Sequence, residues 1–230
     1  ITRSGGQIFG AVGGNGTLTI GSGITLSGHT TISNSNAVTL VNNGTILAST
    51  AGQTFTINTT AFANNGTTSI SAGTFTIGNS TSWTNAGTVA LSNGTWNIAG
   101  TVTTEQLGGG HFIRSGGTVS LTGTLNNAGT TVDIGDGGLF GTGGLGAFSG
   151  TIAGGTLVSG SGSALVSSGG TLNGVTIGSN LTTTGSPLTF LNGVTLANGI
   201  TLSGGSQEWN FSPNQSIGTP GTAPITRSGG

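Results

Sequence analysis

Apolar and small polar residues alternate in short segments along the whole chain: Thr17-Leu18-Thr19-Ile20, Val38-Thr39-Leu40, Phe55-Thr56-Ile57, Phe75-Thr76-Ile77, Trp96-Asn97-Ile98, Val119-Ser120-Leu121, Val175-Thr176-Ile177 and Val194-Thr195-Leu196 among them. A period of two sends successive side chains to opposite faces, so each segment predicts a short, half-buried strand. Asn-Gly, Ser-Gly and Gly-Gly pairs lie between the strands and predict corners, where glycine supplies a positive φ. No segment sustains a 3.6-residue stripe, and almost no helix is expected.

Short strands of this kind can build a sandwich, a barrel or a solenoid, and internal periodicity decides between them. The motif Gly-Thr-apolar-x-apolar begins at Gly73, Gly94 and Gly117, a spacing of about 22 residues. A second motif, in which a Gly-Thr pair follows Asn or Ala, places its glycines at Gly44, Gly66 and Gly87, again about 22 residues apart. Two landmarks that advance together predict one coil per period: an all-β, right-handed parallel β-helix with about 21 to 22 residues per coil. Phe75 then stacks with Trp96 and Val119, and Ile77 with Ile98 and Leu121, as internal columns with Thr, Ser and Asn outside. An irregular all-β sandwich is the alternative architecture, but a hairpin meander has no reason to keep this register. A single coil buries too few side chains to offset its backbone entropy, so stability requires stacking.

The period loosens at Gly135 to Gly150, which is too rich in glycine for ordinary strand, and at Ser212 to Pro224, which holds Pro213, Pro220 and Pro224. Loops leaving the coil are expected at both. A longer repeat lies over the coils. Ile1-Thr2-Arg3-Ser4-Gly5-Gly6 recurs as Ile225 to Gly230, a shift of 224 residues, and these copies hold two of the three arginines. The third, Arg114, lies in Ile113-Arg114-Ser115-Gly116-Gly117 and forms a weaker pattern of two diverged halves of about 112 residues each. Residues 1–224 therefore read as one solenoid repeat and 225–230 as the start of the next. Neither end carries a polar capping segment, so the terminal coils are expected to be covered by neighbouring copies, joined covalently or stacked end to end. With Ile1 first and no signal peptide, the chain reads as a window in something longer.

Composition narrows the function. Only 3% of residues are charged and the net charge is −1, with no lysine, so there is no basic stripe for nucleic acid. Apolar runs such as Ile46-Leu47-Ala48 are far shorter than the roughly 20 residues of a spanning helix, and no membrane insertion is expected. The chain has 49 glycines but recurrent aliphatic residues, which argues against a flexible linker. There is no cysteine, hence no disulfide framework or thiolate metal site.

Candidate chemistry is sparse. Asp133 and Asp136 could be read as a calcium turn, but calcium repeats need many more acids, and two carboxylates at a solvated corner is the simpler reading. His29 and His111 lack zinc spacing. Glu105, His111 and Ser115 could be imagined as a hydrolytic trio, but no nucleophile elbow surrounds the serine, and no enzyme is expected. Trp83, Trp96 and Trp209 are a possible sugar platform and are read as core. Sequons begin at Asn15, Asn43, Asn58, Asn65, Asn79, Asn93, Asn180, Asn210 and Asn214; stacked asparagine ladders at the corners account for several of them better than glycosylation does. Outward pairs Thr17/Thr19, Thr54/Thr56 and Thr74/Thr76 raise ice binding, with Asn97 and Ser120 interrupting the array. No catalytic, cofactor or metal-ligating residue is assigned.

Segments 84–130 (TNAGTVALSNGTWNIAGTVTTEQLGGGHFIRSGGTVSLTGTLNNAGT) and 169–204 (GGTLNGVTIGSNLTTTGSPLTFLNGVTLANGITLSG) resemble the repeats of very large bacterial surface proteins in the style of filamentous haemagglutinins and autotransporter passengers. The resemblance covers nearly the whole chain and implies a parallel β-helix, secretion to the bacterial cell surface, and a role in adhesion, coating or filament formation. It carries over no functional residue. A structural filament or stalk is the expected function. A specific adhesin for a glycan or protein ligand is the first alternative and an ice-binding solenoid the second.

Overall fold

A computed structural model of the chain describes residues 1–9, 14–33, 37–78, 81–108, 111–213 and 225–227. It is a parallel β-solenoid: among the described residues the ladders between its strands are parallel, as in Thr54–Asn58 on Thr74–Ile77 and Thr124–Asn126 on Thr151–Ala153, and one isolated antiparallel bridge joins Gly138 and Gly141. The chain divides into two compact units, Ile1–Thr118 and Val119–Gly230.

In the first unit, internal columns follow from the period-two pattern. Phe55, Phe75 and Trp96 lie in register on the strands Thr54–Asn58, Thr74–Ile77 and Thr95–Ile98, with Ile57, Ile77 and Ile98 two positions on. All six are buried, as are Val119 and Leu121 in the second unit. A second column holds Leu40, Phe62 and Trp83, and a third Ile46, Thr68 and Val89. Successive members of each column are one sequence period apart. Each large apolar side chain removed from water is worth about 1.5–3 kcal/mol, and the columns place them against one another rather than against loops.

Neighbouring strands lie about 4.8 Å apart, and this close stacking decides where glycine is needed. At Gly73, Gly94 and Gly117 φ is +68°, +90° and +70°, the positive φ expected at corners. Gly44, Gly66 and Gly87 differ. None of the three has a positive φ. A Cβ on Gly66 would lie 2.1 Å from the Gly44 carbonyl oxygen, and one on Gly87 would lie 2.0 Å from that of Gly66. Glycine is required there because the backbone of the preceding coil occupies the space of a side chain.

One turn of helix interrupts the strands among the described residues. Thr104–Gly108 begins where the Thr103 hydroxyl accepts from the Gln106 N–H (3.2 Å) and the Gln106 side-chain oxygen accepts from the Thr103 N–H (2.7 Å). This reciprocal capping box satisfies two backbone donors, and Leu107 buries the helix's inner side.

The second unit has the same logic with a less regular coil. One column runs Leu125, Ile152, Leu172, Phe190 and another Val132, Leu157, Ile177, Leu196, every member fully buried. The coil is longest between Leu125 and Ile152 and shortens over the next two steps, to Leu172 and then to Phe190. The long coil contains the glycine-rich segment expected as a loop from Gly135 to Gly150; residues 135–146 leave the ladder without becoming an open loop, whereas Ala147–Phe148 rejoin it as a strand. The residues that leave fold into tight turns (Gly138 N to Gly135 O, 3.0 Å; Gly144 N to Gly141 O, 3.0 Å) that bury Phe140 and Leu145. The proline-rich segment expected as a second loop lies largely outside the described residues.

Candidate functional site

The first unit carries a buried polar ladder along one corner. Asn42, Asn64 and Asn85 end successive strands, so the coil register sets them above one another. The Asn42 amide donates to the Asn64 side-chain oxygen at 2.8 Å, and the Asn64 amide donates to that of Asn85 at 2.8 Å. Each also donates to a backbone carbonyl, that of Thr67 (3.0 Å) and Thr88 (3.2 Å) respectively. Asn42 and Asn64 are wholly buried, and the Thr68 hydroxyl reaches the Asn64 side-chain oxygen at 3.3 Å. Sequence reasoning placed the ladder on sequon asparagines. One sequon pair does stack, Asn65 to Asn43 at 3.0 Å, but on the exposed side; the buried ladder is built from the residues just before them. Asn42-Asn43 and Asn64-Asn65 precede the Gly-Thr corner in both coils, and the alternation from Val38 and Phe62 gives the inward member.

The two aspartates serve turns. The Asp133 carboxylate accepts from the Gly135 N–H (2.8 Å) and the Gly160 N–H (3.0 Å), and that of Asp136 from the Gly143 N–H (2.6 Å). Among the described residues no three His, Asp or Glu side chains come together as metal ligands. Glu105 lies on the short helix, while His111 and Ser115 flank the strand Phe112–Arg114, all three exposed. No hydrogen bond or ion pair joins them, and the His111 backbone carbonyl accepts from Val89 N–H as part of the ladder. His29 is half-buried on the strand Thr25–Ser33.

Trp83 and Trp96 are core, packed edge to face with ring centres 5.9 Å apart. Trp209 is only half-buried. Its indole N–H donates to the Thr183 hydroxyl at 3.2 Å, and its ring packs edge to face on Phe190 at 5.8 Å. Phe211, stacked on the same Phe190 at 5.0 Å, is 48% exposed. Beside Trp209 lies a depression of about 390 Å³ lined by Thr183, Thr184, Ser186, Ser206 and Gln207. Gln207 is 7% exposed, and neither end of its amide has a hydrogen-bond partner. The depression has hydroxyls and one uncommitted amide but no ionisable group, so it can hydrogen-bond a polar neutral ligand and has no acid, base or activated nucleophile. Sequence reasoning missed Gln207, because nothing local distinguishes it from the other polar residues.

Outward threonines form ladders. Thr54 stacks on Thr74 and Thr56 on Thr76, and the next coil continues with Thr95 but puts Asn97 in the second place. In the second unit Thr124, Thr151, Thr171 and Thr189 form one single-width ladder, and Thr131, Thr156, Thr176 and Thr195 another.

The fold and these ladders define the class: a parallel β-solenoid made of tandem coils. Comparison of the chain with models of known families, with curated proteins and with solved structures finds no match.

Proposed function

We propose that the chain is a structural segment of an extracellular, cell-surface filament or stalk, repeating axially every 224 residues, with an adhesive or coating role and no catalysis of its own. The observation that carries this reading is the repetition of one design from coil to coil. Apolar columns, an asparagine ladder and outward threonine ladders recur in register, while Asp133 and Asp136 cap turns. Such a body gains stability with each added coil and presents a neutral polar surface, which suits a stalk. The duplicated hexapeptide supplies the 224-residue axial period, and the resemblance to giant bacterial surface proteins supplies the location. Immunogold labelling of source cells with an antibody to this chain tests it. Labels on surface fibres, spaced by multiples of about 40–50 Å for coils rising about 4.8 Å each, are expected. Labels confined to the cytoplasm would overturn the reading.

The Gln207 depression favours a second reading, a specific glycan adhesin, since a buried amide without a partner beside a half-buried indole is the kind of site a sugar hydroxyl satisfies. Binding on a glycan array that Gln207→Ala abolishes would support it; binding unchanged by the substitution would reject it.

A further inference from the structure

The duplicated hexapeptide has a companion in the sequence: Gly23-Ile24-Thr25-Leu26-Ser27-Gly28 recurs as Gly199 to Gly204. The structure pairs the two motifs at both places. In the first unit Thr2 lies opposite Ser27 and Arg3 opposite Gly28 in a parallel ladder. In the second, Ile225 lies opposite Leu202, Thr226 opposite Ser203 and Arg227 opposite Gly204, again in parallel. The register is the same residue for residue, threonine on serine and arginine on glycine.

The edges used are opposite. Along a strand, alternate residues turn both N–H and C=O toward the same neighbour. The Ile1 amino nitrogen donates to the Thr25 carbonyl at 2.7 Å and the Ile1 carbonyl accepts from the Ser27 N–H at 2.8 Å, so Ile1 and Arg3 face the Thr25–Ser33 strand. At the other copy the Leu181 N–H donates to the Thr201 carbonyl at 2.9 Å. That turns Thr201 and Ser203 toward Leu181, and turns Leu202 toward the strand Ile225–Arg227. With Ile225 opposite Leu202, Thr226 faces inward. The N–H and C=O of Ile225 and Arg227 point to the other edge, where the described residues supply no strand. The backbone groups that one copy of the hexapeptide commits to a GITLSG strand are the ones the other copy leaves open.

We propose that the two hexapeptides are one structural position seen from its two sides: in a tandem array the outer edge of Ile225–Arg227 accepts the Thr25–Gly28 strand of the next copy, head to tail, taking the place that residues 1–3 hold there and keeping the register that Thr2 and Ser27 display. One Ile-Thr-Arg strand is then flanked on both edges by Gly-Ile-Thr-Leu-Ser-Gly strands, and the ladder crosses the repeat boundary without a gap. Open strand edges attract pairing, and an edge whose register and bond parity are already matched selects its own copy. Gly28 fits the role, since a Cβ there would lie 1.9 Å from the Arg3 carbonyl oxygen. The junction admits the arginine backbone because that position has no side chain.

This inference rests on the axial-repeat reading, and the test separates the two. Two copies are fused so that residues 225–230 of the first serve as residues 1–6 of the second, and amide hydrogen exchange is compared with that of the single chain. In the single chain the Thr226 amide is protected while those of Ile225 and Arg227 exchange freely. In the fused protein all three are protected, the latter two slowing by about 100-fold or more. Gly28→Val in the second copy returns Ile225 and Arg227 to fast exchange while Leu157 and Ile177 keep their protection, which distinguishes an opened junction from a failed fold. Fast exchange at Ile225 and Arg227 in the unsubstituted fusion overturns the junction. If that fusion is still a straight particle twice as long in electron micrographs, the filament reading survives the loss. Protected amides in a fusion folded side by side leave the junction standing and overturn the filament.

Discussion

Removal of the Asn64 side chain tests how the first unit is held together. Asn64 is fully buried and its amide group makes four hydrogen bonds: two accepted, from Asn42 (2.8 Å) and Thr68 (3.3 Å), and two donated, to Asn85 (2.8 Å) and the Thr88 carbonyl (3.2 Å). Asn64→Ala does not strand all of these partners equally. Asn85 is only half-buried and recovers a bond to water, and Asn42 keeps the Thr67 carbonyl with one of its two amide hydrogens. The second Asn42 hydrogen and the Thr68 hydroxyl stay buried without a partner, at about 1–3 kcal/mol each. With the small cavity added, a loss of about 3–5 kcal/mol is expected. Asn65→Ala is the control, because its bond to Asn43 is exposed and its loss should cost no more than about 0.5 kcal/mol. Both are measured by urea unfolding in a Trp209→Phe background, so that emission reports Trp83 and Trp96 in this unit alone. A midpoint for Asn64→Ala within about 1 kcal/mol of Asn65→Ala, at equal slope, would refute the claim that the ladder is a main support.

Two further predictions concern the turns. Gly66→Ala should destabilise by more than about 3 kcal/mol, because its Cβ would overlap the Gly44 carbonyl, whereas Gly205→Ala, with open space around it, should stay within about 0.5 kcal/mol; equal melting temperatures would contradict the close-approach argument. Asp133→Ala should cost about 1–3 kcal/mol through its two lost turn bonds, and chelator should leave the unfolding midpoint of the unsubstituted protein unchanged; a large drop in chelator would mean that a cation holds that corner.

The coil was legible because its signals are local and repeated. Phe75 and Trp96 share a Gly-Thr offset, and that offset alone sets their register. The turns were read less well. The Asn-Gly pairs at Gly44 and Gly66 suggest positive φ, yet their constraint, like that of Gly87, comes from a backbone one coil away, which no local pattern reveals. Gln207 could not be singled out, since its significance lies in being buried without a partner, a property of packing. The pairing of Ile-Thr-Arg with Leu-Ser-Gly was present as two repeated hexapeptides, but only the ladder register shows that they meet.

The central claim is that this chain is the axial unit of a fibre, and small-angle scattering from fusions of one, two and four copies tests it most directly. Each added 224-residue copy should lengthen the particle by about 40–50 Å, at about 4.8 Å per coil, with the cross-section unchanged. A maximum dimension that grows only as the cube root of mass, with a widening cross-section, would contradict it.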